Sequence, residues 1–202
     1  MRRRRLGLVK AGVFLICLLP LSILAWDAVA GNLGVNPIEA VTRRLGDWAI
    51  RFLIIALAVT PVRRLTGWGE VARYRRMLGL FAFFYAILHV FSYVGLDHFF
   101  AWGDIWADIV KRRYITVGLL AVLLLLPLAV TSTAGMVRRL GGRRWRLLHR
   151  LVYPAGMLAV LHFYMLVKAD WREPLLYGAI VGALLGYRVV NALYTRPRPV
   201  RA

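Results

Sequence analysis

Acidic residues are scarce in this chain: nine Asp and Glu stand against 28 Lys and Arg among 202 residues. No carboxylate falls at the depth of the two span histidines described below, which excludes a hydrolytic metal set completed by Asp or Glu there. Cys17 is the single cysteine and lies inside an apolar block. That leaves no disulfide framework and no thiolate metal site, and gives the residue a packing role. No G-x-G-x-x-G, P-loop, C-x-x-C or H-E-x-x-H pattern occurs, so the chain has no nucleotide-binding domain and cannot draw directly on a pyridine nucleotide by itself. No appended domain and no internal repeat are evident along its length.

Hydrocarbon is what the chain has in abundance. Hydrophobic residues make up 60% of it and the mean hydropathy is +0.64, whereas soluble domains carry roughly 45–50% apolar residues. They come in six blocks, at 6–26, 46–61 with its flanks, 77–97, 114–131, 150–168 and 175–194. A helix needs ~20 mostly apolar residues to span a bilayer, and a barrel strand would be about half as long and alternating. The expected fold is therefore all-α: one polytopic membrane bundle of six transmembrane helices, a single domain over residues 1–202.

A net charge of +19 raises the question of nucleic acid, and the distribution of that charge answers it. Twenty of the 28 basic residues fall in segments 2–10, 63–76, 138–150 and 188–201, all on one side of the six-span topology, and eight on the other. By the positive-inside rule both termini are cytoplasmic. Of the nine acids only Glu70 falls on the cytoplasmic side. The basic excess is a topology signal and a contact surface for anionic headgroups, with membrane lipid rather than nucleic acid as partner.

The four arginines Arg2 to Arg5, the following apolar run and Ala28-Val29-Ala30 have the outline of a signal peptide. The run from Leu6 to Trp26 exceeds the 7–15 residues of a usual signal h-region, however, and is read as an uncleaved first helix. The second span is expected to end at Pro61, with 62–76 as a basic cytoplasmic loop. Residues 97–113, which carry Trp102, Trp106, Asp104 and Asp108, suit an amphipathic stretch at the outer interface. Residues 132–149 form a second basic loop turning at Gly141-Gly142, and the Arg/Pro-rich tail after Tyr194 is expected to be irregular.

Four histidines carry the chemistry: His89, His98, His149 and His162. His89 and His162 each lie about twelve residues into a span, on helices running the same way, and ionisable groups at that depth are rare and usually functional. Two neutral imidazoles on facing helices can hold a b-type haem. His149 precedes His162 on the same helix, and ideal geometry turns the two side chains ~140° apart unless Pro154 rewinds the segment. It is a candidate for a second haem or a relay, but the matching positions on the third span are Arg75 and Arg76. His98 is read as a surface residue. Arg75, Arg76, Arg144 and Arg150 are candidates for charge-assisted contacts to propionates or a phosphate.

Several strings then carry a resemblance: Asn36-Pro37-Ile38-Glu39, Leu57-Ala58-Val59-Thr60-Pro61-Val62-Arg63-Arg64, Arg75-Arg76-Met77-Leu78-Gly79-Leu80, Thr131-Ser132, and Trp145 through His149 to Pro154. With the His89 and His162 spans they cover nearly the whole chain in order. The chain resembles the haem-binding membrane subunit of the bacterial periplasmic methionine sulfoxide reductase system, in the ferric-reductase-like transmembrane superfamily. That resemblance implies a six-helix, multi-pass cytochrome of the inner membrane that carries b haem and also FMN. Its role would be a non-catalytic electron-transfer subunit of an oxidoreductase system, serving a periplasmic molybdopterin-containing methionine sulfoxide reductase that repairs oxidised proteins. A cytoplasmic flavin reductase or quinol would be the donor. Superfamily relatives hold two haems on two histidines of each of two helices. Here Arg75 or Arg76 takes the fourth position, so one haem on His89 and His162 is the reading and two the extension. The alternatives are a ferric or quinone reductase component of the same superfamily, and a cofactor-free transporter or assembly protein.

Overall fold

The computed structural model describes residues 2–194; the tail beyond Tyr194, expected to be irregular, lies outside them. The described residues form nine α-helices and no strand: α1 Arg2–Val29, α2 Pro37–Thr66, α3 Arg75–Phe91, α4 Trp102–Lys111, α5 Arg113–Val130, α6 Ala134–Leu140, α7 Gly142–Leu148, α8 Val152–Leu166 and α9 Arg172–Tyr194. A π-helical turn, Ser92–Asp97, continues α3, and a 3-10 turn, His149–Leu151, leads into α8. In hydrocarbon every backbone N–H and C=O must be satisfied within its own segment, which is why apolar blocks of this length are helical. Five helices are long and apolar enough to cross a membrane: Gly7–Val29, Pro37–Thr66, Arg75–Asp97, Arg113–Val130 and Arg172–Asn191. The expected fifth block, 150–168, gives instead the 15-residue α8, about 22 Å of helix.

Helix ends follow local chemistry. Asn36 caps α2 by accepting from the Glu39 N–H at 3.2 Å, and its amide donates back to the Glu39 carboxylate at 3.1 Å. Pro37 sits at the first helical position, where its missing N–H loses nothing. Replacing Asn36 with alanine should lower stability by about 1 kcal/mol, read as a shift in the thermal unfolding midpoint of the detergent-solubilised protein. The expected stop at Pro61 is not found: α2 runs on to Thr66 and ends at Gly67, with φ 71°. Proline at 61 removes the donor that Leu57 C=O would use, and a side chain from α9 replaces it: Arg188 Nη2 donates to Leu57 O at 2.8 Å. A helix so patched has no reason to end at its proline. Pro154 falls in the first turn of α8 and leaves that helix without an internal kink; the change of winding occurs before it, in the 3-10 turn that carries His149.

Four helices form the heart of the bundle. α2 packs on α3, α5 on α8, α3 on α5 and α2 on α8, so α3 and α8 stand on one diagonal and α2 and α5 on the other. α9 lies against α8 and α2, and α1 against α2 and α3. The core is narrow and aromatic: Phe52 stacks on Tyr85 at 5.2 Å, and Phe81 closes on Phe52 at 5.7 Å. Cys17 is buried within it. Leu15, Leu19 and Ile23 of α1 and Leu120, Leu123 and Leu126 of α5 point outward, as lipid-facing side chains do. α4 is amphipathic, with Trp102, Trp106 and Val110 along its exposed face.

The expectation of no internal repeat is corrected. Leu-Ala-Val-Thr occurs at 57–60 and 128–131, Val-Arg-Arg-Leu at 62–65 and 137–140, and Ala-[Ile/Val]-Leu-His at 86–89 and 159–162. The first copies of the first two lie in the last third of α2 and their second copies at the end of α5 and in α6; the third lies on α3 and α8. The pairs α2–α3 and α5–α8 are two copies of one helix-pair design, and Ala82 and Ala155, at corresponding positions, are 1% and 0% exposed. Intervening segments of unequal length drift the register between copies, which hides the repeat from a fixed-period search.

Candidate functional site

His89 comes near the end of α3, three residues before the π turn begins, and His162 comes late in α8. The diagonal arrangement brings their rings together: the centroids are 6.1 Å apart and the planes 76° from parallel. Both side chains are half-buried. Each ring is held from behind by a backbone carbonyl of the neighbouring helix. Thr42 O lies 2.8 Å from His89 Nδ1, and Tyr114 O lies 2.7 Å from His162 Nδ1. A carbonyl can only accept, so Nδ1 carries the proton in both rings and Nε2 keeps its lone pair. Imidazole and carbonyl are 47 residues apart in one pair and 48 in the other, the repeat expressed in hydrogen bonds. Thr42 also has a buried hydroxyl with no protein partner.

Two neighbouring imidazoles, each with a bare nitrogen and centroids 6.1 Å apart, can hold one metal centre between them. Among the described residues no cluster of three or more His, Cys, Asp or Glu could complete a metal site, so the remaining ligands would have to come from a bound group.

His149 is elsewhere. It stacks on Trp145 at 3.9 Å, and its Nε2 is 3.1 Å from Thr131 Oγ1. That hydroxyl gives its own proton to Pro127 O at 2.6 Å, so it accepts from His149 Nε2–H and leaves Nδ1 as the free nitrogen. Burial, and then the nearby Arg75 guanidinium, push the His149 pKa below the ordinary histidine value, which favours the neutral ring.

His149 lines a cavity of about 510 Å³ at the basic end of the bundle. Of the arginines named from sequence, Arg75, Arg76 and Arg150 line it and Arg144 does not; Arg146 and Arg188 join them, and no carboxylate lines it. Arg188 was visible only as one more positive charge. Its Nη1 donates to Tyr153 OH at 2.9 Å, its guanidinium lies 5.2 Å from the Tyr153 ring centroid, and its Nη2 serves the Leu57 carbonyl. Replacing Arg188 with methionine leaves that carbonyl unpaired and should cost about 1–3 kcal/mol, and Arg188→Lys, which cannot reproduce the fork, should fall between; unfolding midpoints of the purified variants measure this.

His98, expected at the surface, is half-buried beyond the π turn. Its Nε2 is 3.4 Å from Asp108 and 3.8 Å from Asp97, and its ring lies 4.5 Å from Tyr93. Acidic partners, not the facing imidazoles, surround it.

A family model described as the ferric reductase like transmembrane component matches residues 45–174, from just before Gly46 to the start of α9. Proteins named protein-methionine-sulfoxide reductase heme-binding subunit MsrQ match nearly end to end. The Rhodospirillum rubrum protein is 61% identical over 96% of this chain and 92% of its own. The Caulobacter vibrioides protein is 51% identical over 90% and 87%, and that of Herminiimonas arsenicoxydans 49% over 96% and 90%. The chain belongs to the MsrQ family. Its place among ferric-reductase-like membrane components makes it a multi-pass membrane protein of electron-transfer type, in keeping with the five spanning helices.

Proposed function

We propose that this protein is the cytochrome b subunit that carries electrons across the bacterial inner membrane to a periplasmic, molybdopterin-containing methionine sulfoxide reductase. The observation that carries the reading is the close pair of rings His89 and His162, each with its Nδ1 tied to a carbonyl. A metal–imidazole bond of about 2 Å on each side, plus about 1 Å from each nitrogen to its ring centre, lets two imidazoles share one metal ion with centroids up to about 6 Å apart; the observed separation is 6.1 Å. The proton on each Nδ1 leaves Nε2 for iron, and the interior of a helical bundle is where such sites are built. The residues present therefore fit a b-type haem, whose iron His89 and His162 would hold.

Bound haem would supply a one-electron carrier at that point of the bundle. The protein's part is ligation, orientation and a low-dielectric surrounding. The carbonyls of Thr42 and Tyr114 fix the tautomer and raise the basicity of each ring. Arg75, Arg76 and Arg150, with Arg146 and Arg188 beside them, offer guanidinium donors to an anionic group in the basic cavity, whose volume is within the range of small-molecule sites. FMN, through its phosphate, is the cofactor we assign there. His149, neutral and with Nδ1 free, is the relay, or the one-sided ligand of a second haem. Arg144 is left with a headgroup contact.

In this reading the 15-residue α8 belongs to the fifth of six spans, which begins beyond His149, and both termini are cytoplasmic. The basic cavity then faces a cytoplasmic flavin reductase or the quinol pool, and α4 and the outer loops face the sulfoxide reductase. The test is vectorial. In sealed vesicles holding the protein in its native orientation, donor supplied on the cytoplasmic side should reduce methionine sulfoxide on the other side only when the periplasmic reductase is present. Reduction of Fe(III) outside, with none of sulfoxide, would transfer the assignment to a ferric reductase component.

A further inference from the structure

Each of the two imidazoles lies on a glycine. A methyl group built on Gly118 would stand 2.6 Å from His162 Nδ1 and 2.8 Å from its Cε1, and one built on Gly46 would stand 3.1 Å from His89 Nδ1 and 3.2 Å from its Cε1. In both cases the glycine comes one helical turn after the residue whose carbonyl holds the ring: Thr42 precedes Gly46 and Tyr114 precedes Gly118. In a regular helix that carbonyl already accepts the N–H four residues on, and it has a second lone pair to give. To reach it from the side, an imidazole must lie down on the turn where residue i+4 would carry its Cβ. Only glycine leaves that space. Other helix glycines lack this feature: a Cβ on Gly12, Gly79, Gly182 or Gly186 would meet nothing within 4 Å. The arrangement occurs twice, at corresponding positions of the two helix pairs, which makes it part of the repeated design.

We infer that Gly46 and Gly118 are positioning residues of the haem site, each a bare patch of backbone on which an axial histidine lies so that its Nδ1–H reaches the carbonyl one turn earlier and its Nε2 points at the iron. The inference rests on reading His89 and His162 as haem ligands. A side chain at either glycine lifts the ring from its carbonyl, and the loss of that partner weakens both the aim and the basicity of the ligand. A less basic imidazole favours ferric iron less, so the reduction potential rises. The two positions are unequal. At 2.6 Å the His162 ring must leave its hydrogen bond; at 3.1 Å the His89 ring has only to yield by a few tenths of an ångström.

The experiment uses the full chain in lipid nanodiscs, with Gly118→Ala, Gly46→Ala, Gly182→Ala and His162→Ala compared for haem per chain, midpoint potential and the electron paramagnetic resonance of the ferric form. Gly118→Ala should bind haem about 10–100-fold more weakly, with a higher potential and altered g values in the haem that remains. Gly46→Ala should keep its haem with a smaller upward shift, and Gly182→Ala should match the native protein. Native occupancy, potential and g values in Gly118→Ala would overturn the inference while leaving the ligand reading intact. Haem that survives His162→Ala would overturn the ligand reading itself. Should Gly118→Ala fail to reach the membrane, the potential of Gly46→Ala decides, and a native value there sinks the proposal.

Discussion

Alanine at His89, or at His162, should leave the membrane-inserted protein without its b-haem spectrum. Loss of partners behind a ligand typically weakens metal affinity about 10–100-fold, and loss of the ligand itself must exceed that. The bundle offers no substitute: among the described residues no further His, Cys, Asp or Glu groups with the pair, His98 is engaged with Asp97 and Asp108, and His149 lies against Trp145 and Thr131. Alanine leaves a space the size of an imidazole beside the Thr42 or Tyr114 carbonyl, so added free imidazole should restore part of the absorbance in each single variant. His98→Ala should leave the spectrum at its native intensity. An equal loss in His98→Ala would mean that the spectrum reports general unfolding and not the removal of a ligand.

The largest stability effect is expected at Tyr85, which is 0% exposed. Its hydroxyl reaches into α1 beside Pro20: it accepts from Leu21 N–H at 3.2 Å and donates to Cys17 O at 2.9 Å. Those two groups would be partners in an uninterrupted helix. Proline at 20 clashes with the turn before it and opens the ladder there, and the tyrosine hydroxyl stands in the gap, as a water would. Removing the whole side chain also empties the stack on Phe52 and the contact with Phe84. Tyr85→Ala should therefore cost about 3–5 kcal/mol, whereas Tyr85→Phe, which keeps the ring and strands the two backbone groups, should cost about 1–3 kcal/mol. In a Pro20→Ala background α1 can close Leu21 N–H directly on Cys17 O, and the penalty of Tyr85→Phe should shrink; reversible unfolding of the four proteins gives that coupling as a double-mutant cycle. An unchanged penalty would mean that the hydroxyl does not bridge the break.

Much of the fold could be read from composition and block length, since a bilayer admits few architectures. The places where reading failed are those where a distant partner or a local change of winding overrides the usual rule. Pro61 was expected to end its helix because the usual consequence of proline is local, whereas the group that relieves it, Arg188, lies 131 residues from the Leu57 carbonyl it serves. His149 was expected on the line of α8, but the 3-10 turn that carries it sets it apart from that helix. α8 itself is shorter than its apolar block, because Val167 adopts an extended backbone.

The site divides in the same way. The depth of His89 and His162 within their spans was legible, because an imidazole in an apolar run is conspicuous. The groups behind them were not. Thr42 and Tyr114 contribute carbonyls, which every residue has, and glycines are common in transmembrane helices. The signal that could have found Gly46 and Gly118 is the repeat: with Ala-Ile-Leu-His and Ala-Val-Leu-His aligned, each histidine has a glycine 43 or 44 residues before it. The same alignment sets Arg76 opposite His149 and so marks the basic end as an asymmetric site, with one imidazole among guanidiniums.

The most direct measurement is the ferric low-spin resonance of the full chain in lipid, integrated against protein and haem. A bis-imidazole signal from the His89–His162 centre is expected at one per chain, present in His98→Ala and His149→Ala and absent from both His89→Ala and His162→Ala. A signal that persists in either of the last two, at native intensity and g values, would contradict the ligand assignment.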